Sequence, residues 1–332
     1  MLRKAIFLSL SGLISGHAAA DCTLARGTPT TLNLPAQTIA ISADAAADTS
    51  TPIAGAIYTT ASLGSAVGYD DCVAGIAGGR ELVGLTETVA TKLYKTNVPG
   101  IGVKVHLYNP ESGGFGAYPT SYVVSFPNGE ATGTYDWVAG RYYRVQFYKT
   151  ADKLTLTDPT GDVVLNAGTL GYEWLGSDNV RPMTLFVNQI KIVSTPACTV
   201  EGSKTIDFGT VTPAMVSAGV ERDLDFSLTC KTDYGTYSTT AGLTTTTPSS
   251  DLTYIKVTDA ANNTDNLGIQ ILNSSGSAIK VDNTVLERVA STASDSAAQF
   301  NWKAKLINVS TGSSRPQNGN FTAQAEIVMS IN

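Results

Sequence analysis

The stretch that decides the fold is "GNFTAQAEIVMSIN", Gly319–Asn332, with which the sequence ends. Apolar residues recur at every second position of it, at Phe321, Ala323, Ala325, Ile327, Met329 and Ile331. A period of two is typical of a β-strand that buries one face. Chain ends are usually polar and frayed. The pattern therefore predicts a terminal strand that packs on a core, although no later segment covers its edge.

The other end of the chain has the features of a secretory signal. Arg3 and Lys4 are followed by an apolar run, Ala5–Ile14, and then by the small residues Ala18–Ala20. Such a run is too short to be a membrane-spanning helix and is typical of a cleaved leader. We therefore expect residues 1–20 to be a signal peptide and the remainder to be exported without spanning a membrane.

Composition limits the class of the exported part. Charged residues make up 15% of the 332 residues, and the formal net charge is −6. A nucleic-acid-binding protein would carry a basic stripe, so we expect no nucleic-acid partner. The roughly 310 residues after the signal are enough for two ordinary domains.

Four cysteines, Cys22, Cys72, Cys198 and Cys230, fall into two widely separated pairs. They allow three pairings, of which the sequential one places one bridge in each half of the chain. A zinc site is the competing interpretation. It is disfavoured because there is no CxxC motif and only one histidine, His106, after the signal. We expect two structural disulfides, no metal and no cofactor.

Short alternating runs continue along the whole chain, as at Ile101–Tyr108 and Tyr143–Tyr148, with Gly, Pro, Asn and Asp between them. This pattern is typical of all-β sandwiches. The small, proline-containing link Ser194–Cys198 separates the two cysteine pairs. We therefore predict an all-β protein of two β-sandwiches, with domains at 21–195 and 196–332.

The second half resembles the pilin domain of chaperone–usher fimbrial subunits. The resemblance is carried by "CTVEGSKTIDFGTV" (Cys198–Val211), by "FSLTC" (Phe226–Cys230) and by the final strand, which Gly319 precedes. Ile331 stands where the family often has an aromatic residue. In the first half, "LYKTNVPGIGVKV" (Leu93–Val105) resembles a segment of fimbrial adhesins and minor tip subunits.

This resemblance implies an immunoglobulin-like sandwich that lacks one strand and has a hydrophobic groove beside its last strand. An open edge is an aggregation hazard, and a strand donated by another chain completes it. The implied partners are a periplasmic chaperone, an outer-membrane usher and the adjacent fimbrial subunit. Phe321, Ile327, Met329 and Ile331 would line the groove, and Asn332 would present its carboxylate to the chaperone.

The resemblance also implies a position in the fibre. An ordinary subunit donates a short extension that lies before its first pilin strand, whereas here a whole domain precedes Cys198. Such a chain accepts a strand but has no free extension to donate. We therefore expect a two-domain tip adhesin, exported to the periplasm of a Gram-negative bacterium and then carried to the fimbrial tip on the cell surface.

The first domain is expected to be a lectin-like sandwich that binds a host or surface receptor, with a glycan as the preferred ligand. Sugar sites combine polar groups with an aromatic platform. Two clusters fit, and the candidates from them are Tyr135, Asp136, Trp137, Glu173 and Trp174. Asp21 is added because mannose-specific relatives use their N-terminus. Tyr118, Tyr122 and Tyr69–Asp71 are lesser candidates, and each tryptophan could instead be a core residue.

Two other functions remain open. A purely structural tip or initiator subunit would have the same pilin domain but no receptor site. A periplasmic glycosidase would need two carboxylates, which the sequence alone cannot single out. Because His106 falls on the polar face of a predicted strand and no GxSxG motif is present, we expect the protein not to be an enzyme.

Overall fold

The computed structural model describes residues 22–177, 179–312 and 315–331. The predicted signal peptide, Asp21 and Asn332 lie outside these residues. The only helical elements in the described part are a 3₁₀ turn, Pro127–Gly129, and a short helix, α1, Pro213–Ala218. All other regular structure is β-strand, so the predicted all-β class is confirmed.

Seventeen strands precede residue 196 in the described chain. They are β1 (Thr23–Arg26), β2 (Thr30–Leu34), β3 (Gln37–Ser42), β4 (Ile57–Thr59), β5 (Val67–Val73), β6 (Ala77–Leu82), β7 (Thr88–Ala90), β8 (Leu93–Lys95), β9 (Ile101–Asn109), β10 (Gly114–Ala117), β11 (Thr120–Val123), β12 (Thr132–Trp137), β13 (Tyr142–Lys149), β14 (Asp162–Leu165), β15 (Gly168–Leu175), β16 (Met183–Val187) and β17 (Ile190–Thr195).

These strands form four sheets. Their orders are β1-β5-β12, β4-β13-β9-β8-β7 with β10 beside β9, β11-β6-β15-β16-β2, and β14-β17-β3. All pairs are antiparallel except β16 with β2 and β17 with β3. Alternation along β9 and β13 explains the main core: Val103, Val105, Tyr143, Val145 and Phe147 are fully or almost fully buried. The intervening side chains of β9, such as Lys104 and His106, are on the other face and only partly buried.

The strands after residue 196 form two further sheets. They are β18 (Ala197–Val200), β19 (Val220–Lys231), β20 (Thr236–Thr244), β21 (Ile255–Val257), β22 (Leu267–Leu272), β23 (Ala278–Ile279), β24 (Glu287–Ala293), β25 (Ala297–Asn308) and β26 (Glu326–Ile331). One sheet has the order β18-β19-β25-β22-β21 with β23 beside β22, and the other is β24-β20-β26. A second core, which includes Phe226, Phe300 and Trp302, lies within this part.

In the described chain, no strand before Pro196 pairs with a strand after it. The predicted boundary near residue 195 falls between these two groups of sheets. Each group has one disulfide, Cys22–Cys72 and Cys198–Cys230, and the sequential pairing is confirmed. Loops of 50 and 32 residues correspond to about 3–4.5 kcal/mol of stabilisation each in the chain-entropy account.

The turn between β19 and β20 joins the two parts. The buried Asp233 carboxylate accepts hydrogen bonds from the Leu154 amide at 2.9 Å and from the Ser194 hydroxyl at 2.6 Å. The Tyr234 hydroxyl accepts from the Ser194 amide at 3.0 Å, and the Tyr234 ring packs against the first core. Hydrogen bonds to a buried charge contribute about 1.5–3 kcal/mol, so this turn fixes the second part against the first.

We expect Asp233→Ala to destabilise the protein by about 2 kcal/mol, because the Leu154 amide loses its acceptor in a buried contact. Thermal unfolding of the purified protein should show a midpoint lower by about 4–8 °C. The matched control is Asp225→Ala, which removes an exposed carboxylate from β19. Equal midpoints for the two variants would show that the Asp233 contact does not stabilise the joint.

Candidate functional site

A groove of about 910 Å³ opens along the second part, between β26 and the segment 200–208. One edge of β26 pairs with β20, and within the described residues its other edge has no partner strand. On the far side of the groove, β18 is likewise the last strand of its sheet. The two sheets therefore fail to close on this side.

The floor and walls of the groove are apolar side chains from both sheets. They include Leu224, Phe226, Leu243, Ile255, Ile269, Ile271, Ala304, Phe321, Ala323, Ile327 and Met329. Several of these belong to the second hydrophobic core, so the groove reaches the core and is not a surface furrow. Its one charged rim is the segment with Glu201, Lys204 and Asp207.

Three of the predicted groove residues, Phe321, Ile327 and Met329, line it and are only half-buried. Ile331 is on β26 but is 40% exposed and is not among the lining side chains. It pairs with Thr239 at the distal end of β26. The strand is also shorter than the alternation predicted, since it begins only at Glu326. Thr322, which precedes it, forms an isolated β-bridge with Thr258 instead.

Gly319 has a structural reason for being glycine. Its φ is +135°, and a Cβ atom there would come within 2.6 Å of the Ala260 Cβ. Any other residue would be strained by both the backbone conformation and the contact. Gly319 therefore lets the chain pass close to the 258–263 loop. The Thr322–Thr258 bridge and then β26 follow along the chain.

This geometry fits an extended peptide. Unpaired backbone groups along β26 offer hydrogen bonds to an added strand. The half-buried apolar walls offer pockets for alternate side chains of that strand, as in other cases of β-strand addition.

In the first part, the two predicted aromatic clusters meet at Glu173. Its carboxylate accepts hydrogen bonds from the Trp137 indole at 2.9 Å, the Tyr118 hydroxyl at 2.8 Å and the Arg80 guanidinium at 2.9 Å. Strand pairing brings Arg80 opposite Glu173. Burial, and next the charge of Glu173, raises the pKa of Tyr118 well above its ordinary value, so Tyr118 remains a hydrogen-bond donor.

Trp137 is fully buried and Glu173 is 1% exposed. Neither side chain reaches a ligand at the surface of this structure, and Trp137 is a core residue, which was the alternative interpretation of the tryptophans. The Glu173 network instead connects β15 with Arg80 of β6 and Trp137 of β12 inside the first part. Arg80 and its pairing with Glu173 were not predicted, because the sequence gives no signal that two residues 93 positions apart are cross-strand neighbours.

Tyr135 and Asp136 lie nearer to solvent. The Tyr135 ring stacks on Tyr122 with centroids 5.9 Å apart. Asp136 forms an ion pair with Arg26 at 2.6 Å, and Asp70 lies 3.6 Å from the same guanidinium. Side chains alternate along β12, so Tyr135 and Tyr122 pack against the core on one face, whereas Asp136 and Asp70 meet Arg26 on the other. We call these two groups together the Tyr135–Asp136 cluster.

The other two candidates lie apart from that cluster or outside the described residues. Trp174 faces away from Glu173 because side chains alternate along β15, and it covers Gly79. The structure does not bring Trp174 together with Tyr135. Asp21 lies outside the described residues. Its neighbour Cys22 is joined by a disulfide to Cys72 of β5, the strand that pairs with β12.

The described residues contain neither a membrane-spanning helix nor a cluster of metal-ligating side chains. None of their helices is long and apolar enough to cross a membrane. No three side chains of His, Cys, Asp or Glu among them are grouped to hold a metal ion.

Residues 186–332 match the family model described as fimbrial protein. The resemblance of the second half to fimbrial subunits, inferred from its motifs, is confirmed by this match. The match starts at Phe186, upstream of the predicted boundary. Fimbrial proteins are structural and adhesive components of fibres, not enzymes. Among curated proteins, none matches the chain.

Several solved structures are similar at low identity. The receptor-binding domain of the adhesin MrkD1P of Klebsiella pneumoniae is 21% identical, with 54% of this chain and 95% of that chain covered and a TM-score of 0.37. The CupB6 tip adhesin of Pseudomonas aeruginosa is 14% identical, with 87% and 89% covered and a TM-score of 0.35. The chaperone–tip subunit complex CsuC–CsuE of Acinetobacter baumannii is 8% identical. It covers 90% of this chain and 98% of that chain, with a TM-score of 0.39. The family assignment rests on the sequence match alone.

We expect Glu173→Gln to lower the free energy of unfolding of the first part by about 3 kcal/mol, because it leaves the partly buried Arg80 cation without a counter-charge. Guanidinium unfolding followed by tryptophan fluorescence measures the change, since Trp137 is bonded to this carboxylate. Glu130→Gln, at an exposed position, is the control. If both variants unfold at the same denaturant concentration, the Glu173 network does not stabilise the domain.

Proposed function

We propose that this protein is the tip adhesin of a chaperone–usher fimbria and is held in the fibre by a strand that its neighbour donates. The observation that carries the proposal is the apolar groove beside the unpaired edge of β26. A complete sandwich would have a strand in that place. The family match over residues 186–332 supports a fibre component.

The donated strand would lie between β26 and the segment 200–208. Its backbone would pair with the open edge of β26, and its alternate side chains would enter the apolar groove beside Ile327 and Met329. A periplasmic chaperone would fill the groove first, the outer-membrane usher would exchange it, and the adjacent subunit would fill it in the fibre. Asn332 would contact the chaperone.

The position at the tip follows from what precedes the groove domain. Seventeen strands in four sheets stand before Pro196, and β17 connects to β18 through that single residue. The chain between them is too short to reach another subunit as a donor strand. This arrangement supports the proposal that the protein accepts a strand, donates none and stands at one end of the fibre, the tip.

The first part would bind the receptor, with a surface glycan as the proposed ligand. Of the predicted contact residues, Tyr135, Asp136 and Trp174 are partly exposed. Asp21, the residue before Cys22, is retained as a proposed contact from the sequence. Trp137 and Glu173 would act from below, by fixing the aromatic rings and strands that carry this surface.

We expect a synthetic peptide of about 12 residues, with valine at alternate positions, to fill the groove. At a concentration of 100 Kd, its binding should stabilise the protein by about 2.7 kcal/mol. Differential scanning fluorimetry should then show a melting temperature raised by about 5 °C or more.

Two single substitutions on β26 provide the control. Ile327→Asp places a charge in the groove wall and should abolish the shift, whereas Ser330→Asp, at an exposed position on the same strand, should preserve it. A protein that is fully stable without a peptide, and that no alternating peptide stabilises further, would contradict the strand-acceptor function.

A further inference from the structure

The outer face of the sheet that contains β9, β10 and β13 carries an unusual group of side chains. They are Lys104, His106 and Tyr108 from β9, Phe115 from β10, and Tyr142 and Arg144 from β13. Strand register places Tyr108 opposite both Tyr142 and Phe115, and His106 opposite Arg144. We call these six residues the aromatic–basic patch. It is distant in the sheet topology from the Tyr135–Asp136 cluster, which belongs to the β1-β5-β12 sheet.

Three rings of the patch form a continuous aromatic surface. Tyr108 and Tyr142 stack with centroids 4.8 Å apart, and the Phe115 ring lies 5.2 Å from Tyr108 and 6.0 Å from Tyr142. Phe115 is 39% exposed, although a phenylalanine in an isolated globular protein is usually covered. An exposed aromatic face of this kind suits the weakly apolar C–H face of a sugar ring.

Two cations border the aromatic surface. The Arg144 guanidinium carbon is 3.5 Å from the Phe115 ring centre, and the Lys104 ammonium is 4.6 Å from the centre of Tyr148. Among the described residues, no carboxylate forms a salt bridge with either cation. Elsewhere in the first part, Arg26, Arg80 and Arg141 each have one. Glu111, in the hairpin that leads to Phe115, is bound by Arg141.

Two polar atoms beneath the patch are unpaired. Arg144 Nε and His106 Nδ1 are buried atoms without a hydrogen-bond partner in the described structure, and such atoms normally have one. Burial, followed by the charges of Arg144 and Lys104, lowers the pKa of His106 to about 4. His106 is therefore neutral at pH 7, and the positive charge of the patch comes from the two long side chains.

We propose that the aromatic–basic patch binds an acidic saccharide, that is, a glycan with a carboxylate or sulfate group. The sugar ring would lie on Phe115, Tyr108 and Tyr142, and its anionic group would meet Arg144, with Lys104 at the border. The guanidinium fork can donate two hydrogen bonds to two oxygens of either anion. The inference rests on the proposed adhesin function and specifies the ligand class. It favours a saccharide over a nucleic acid because the chain's net charge of −6 opposes a long polyanion.

The test uses the full exported protein on a glycan array with three arms: neutral oligosaccharides, sialylated or uronate-containing ones, and sulfated ones. Titrations with sialyllactose and a sulfated heparin tetrasaccharide then give Kd values. We expect selective retention of acidic glycans, with the carboxylate and sulfate arms showing which anion is preferred. Arg144→Gln and Phe115→Ala should each weaken that binding at least tenfold, and raising the salt to 0.5 M should weaken it too.

The matched control is Arg288→Gln, which removes the same charge from β24 in the second part and should leave Kd unchanged. Circular dichroism and thermal midpoints confirm that each variant is folded, and two variants from different strands are used so that one misfolded variant does not decide the result.

Binding of neutral glycans only, or equal Kd values for Arg144→Gln and Arg288→Gln, would overturn the acidic-saccharide assignment but leave the adhesin function intact. Equal competition by poly-glutamate would overturn the saccharide assignment. Failure of the unmodified protein to bind any glycan would instead contradict the adhesin function, and with it this inference.

Discussion

The constraint on which the rest of the structure depends is the open edge of β26. This strand is paired on one side only, and its inward side chains Ile327 and Met329 complete a core that remains accessible from outside. Exposed apolar side chains and unpaired backbone groups are costly in water. Under the proposed function, a strand from another chain covers this edge, and assembly into the fibre adds to the stability of the fold.

The first part has a hydrophobic core of its own, and buried hydrogen bonds join it to the second part. Its most buried charge, Glu173, has three hydrogen-bond donors around it, and the Asp233 turn from the second part closes the joint. Both arrangements hold strands and turns in fixed positions. Under the proposed function, load on a receptor would pass through the joint between the two parts, and a buried, hydrogen-bonded contact suits that role better than a flexible linker.

Much of the fold could be predicted from the sequence because strand alternation and cysteine spacing are local signals. The final strand, the two disulfides and the groove residues Phe321, Ile327 and Met329 follow from them and from the family motifs. The burial of Trp137 and Glu173 could not be predicted, because a cluster of aromatic and acidic residues has the same sequence pattern whether it faces the core or solvent. The Arg80–Glu173 pair and the aromatic–basic patch depend on which distant strands become neighbours, and only tertiary structure supplies that register.

The most direct measurement is amide hydrogen exchange along Glu326–Ile331, first in the protein without a strand donor and then with one bound. Exchange reports local opening and backbone pairing residue by residue. The account predicts that alternate amides of this strand, those that point to the groove, exchange rapidly in the free protein and become protected when a strand binds. Protection of every amide in the free protein, unchanged by a donor, would show that the sandwich is already complete and would contradict the account.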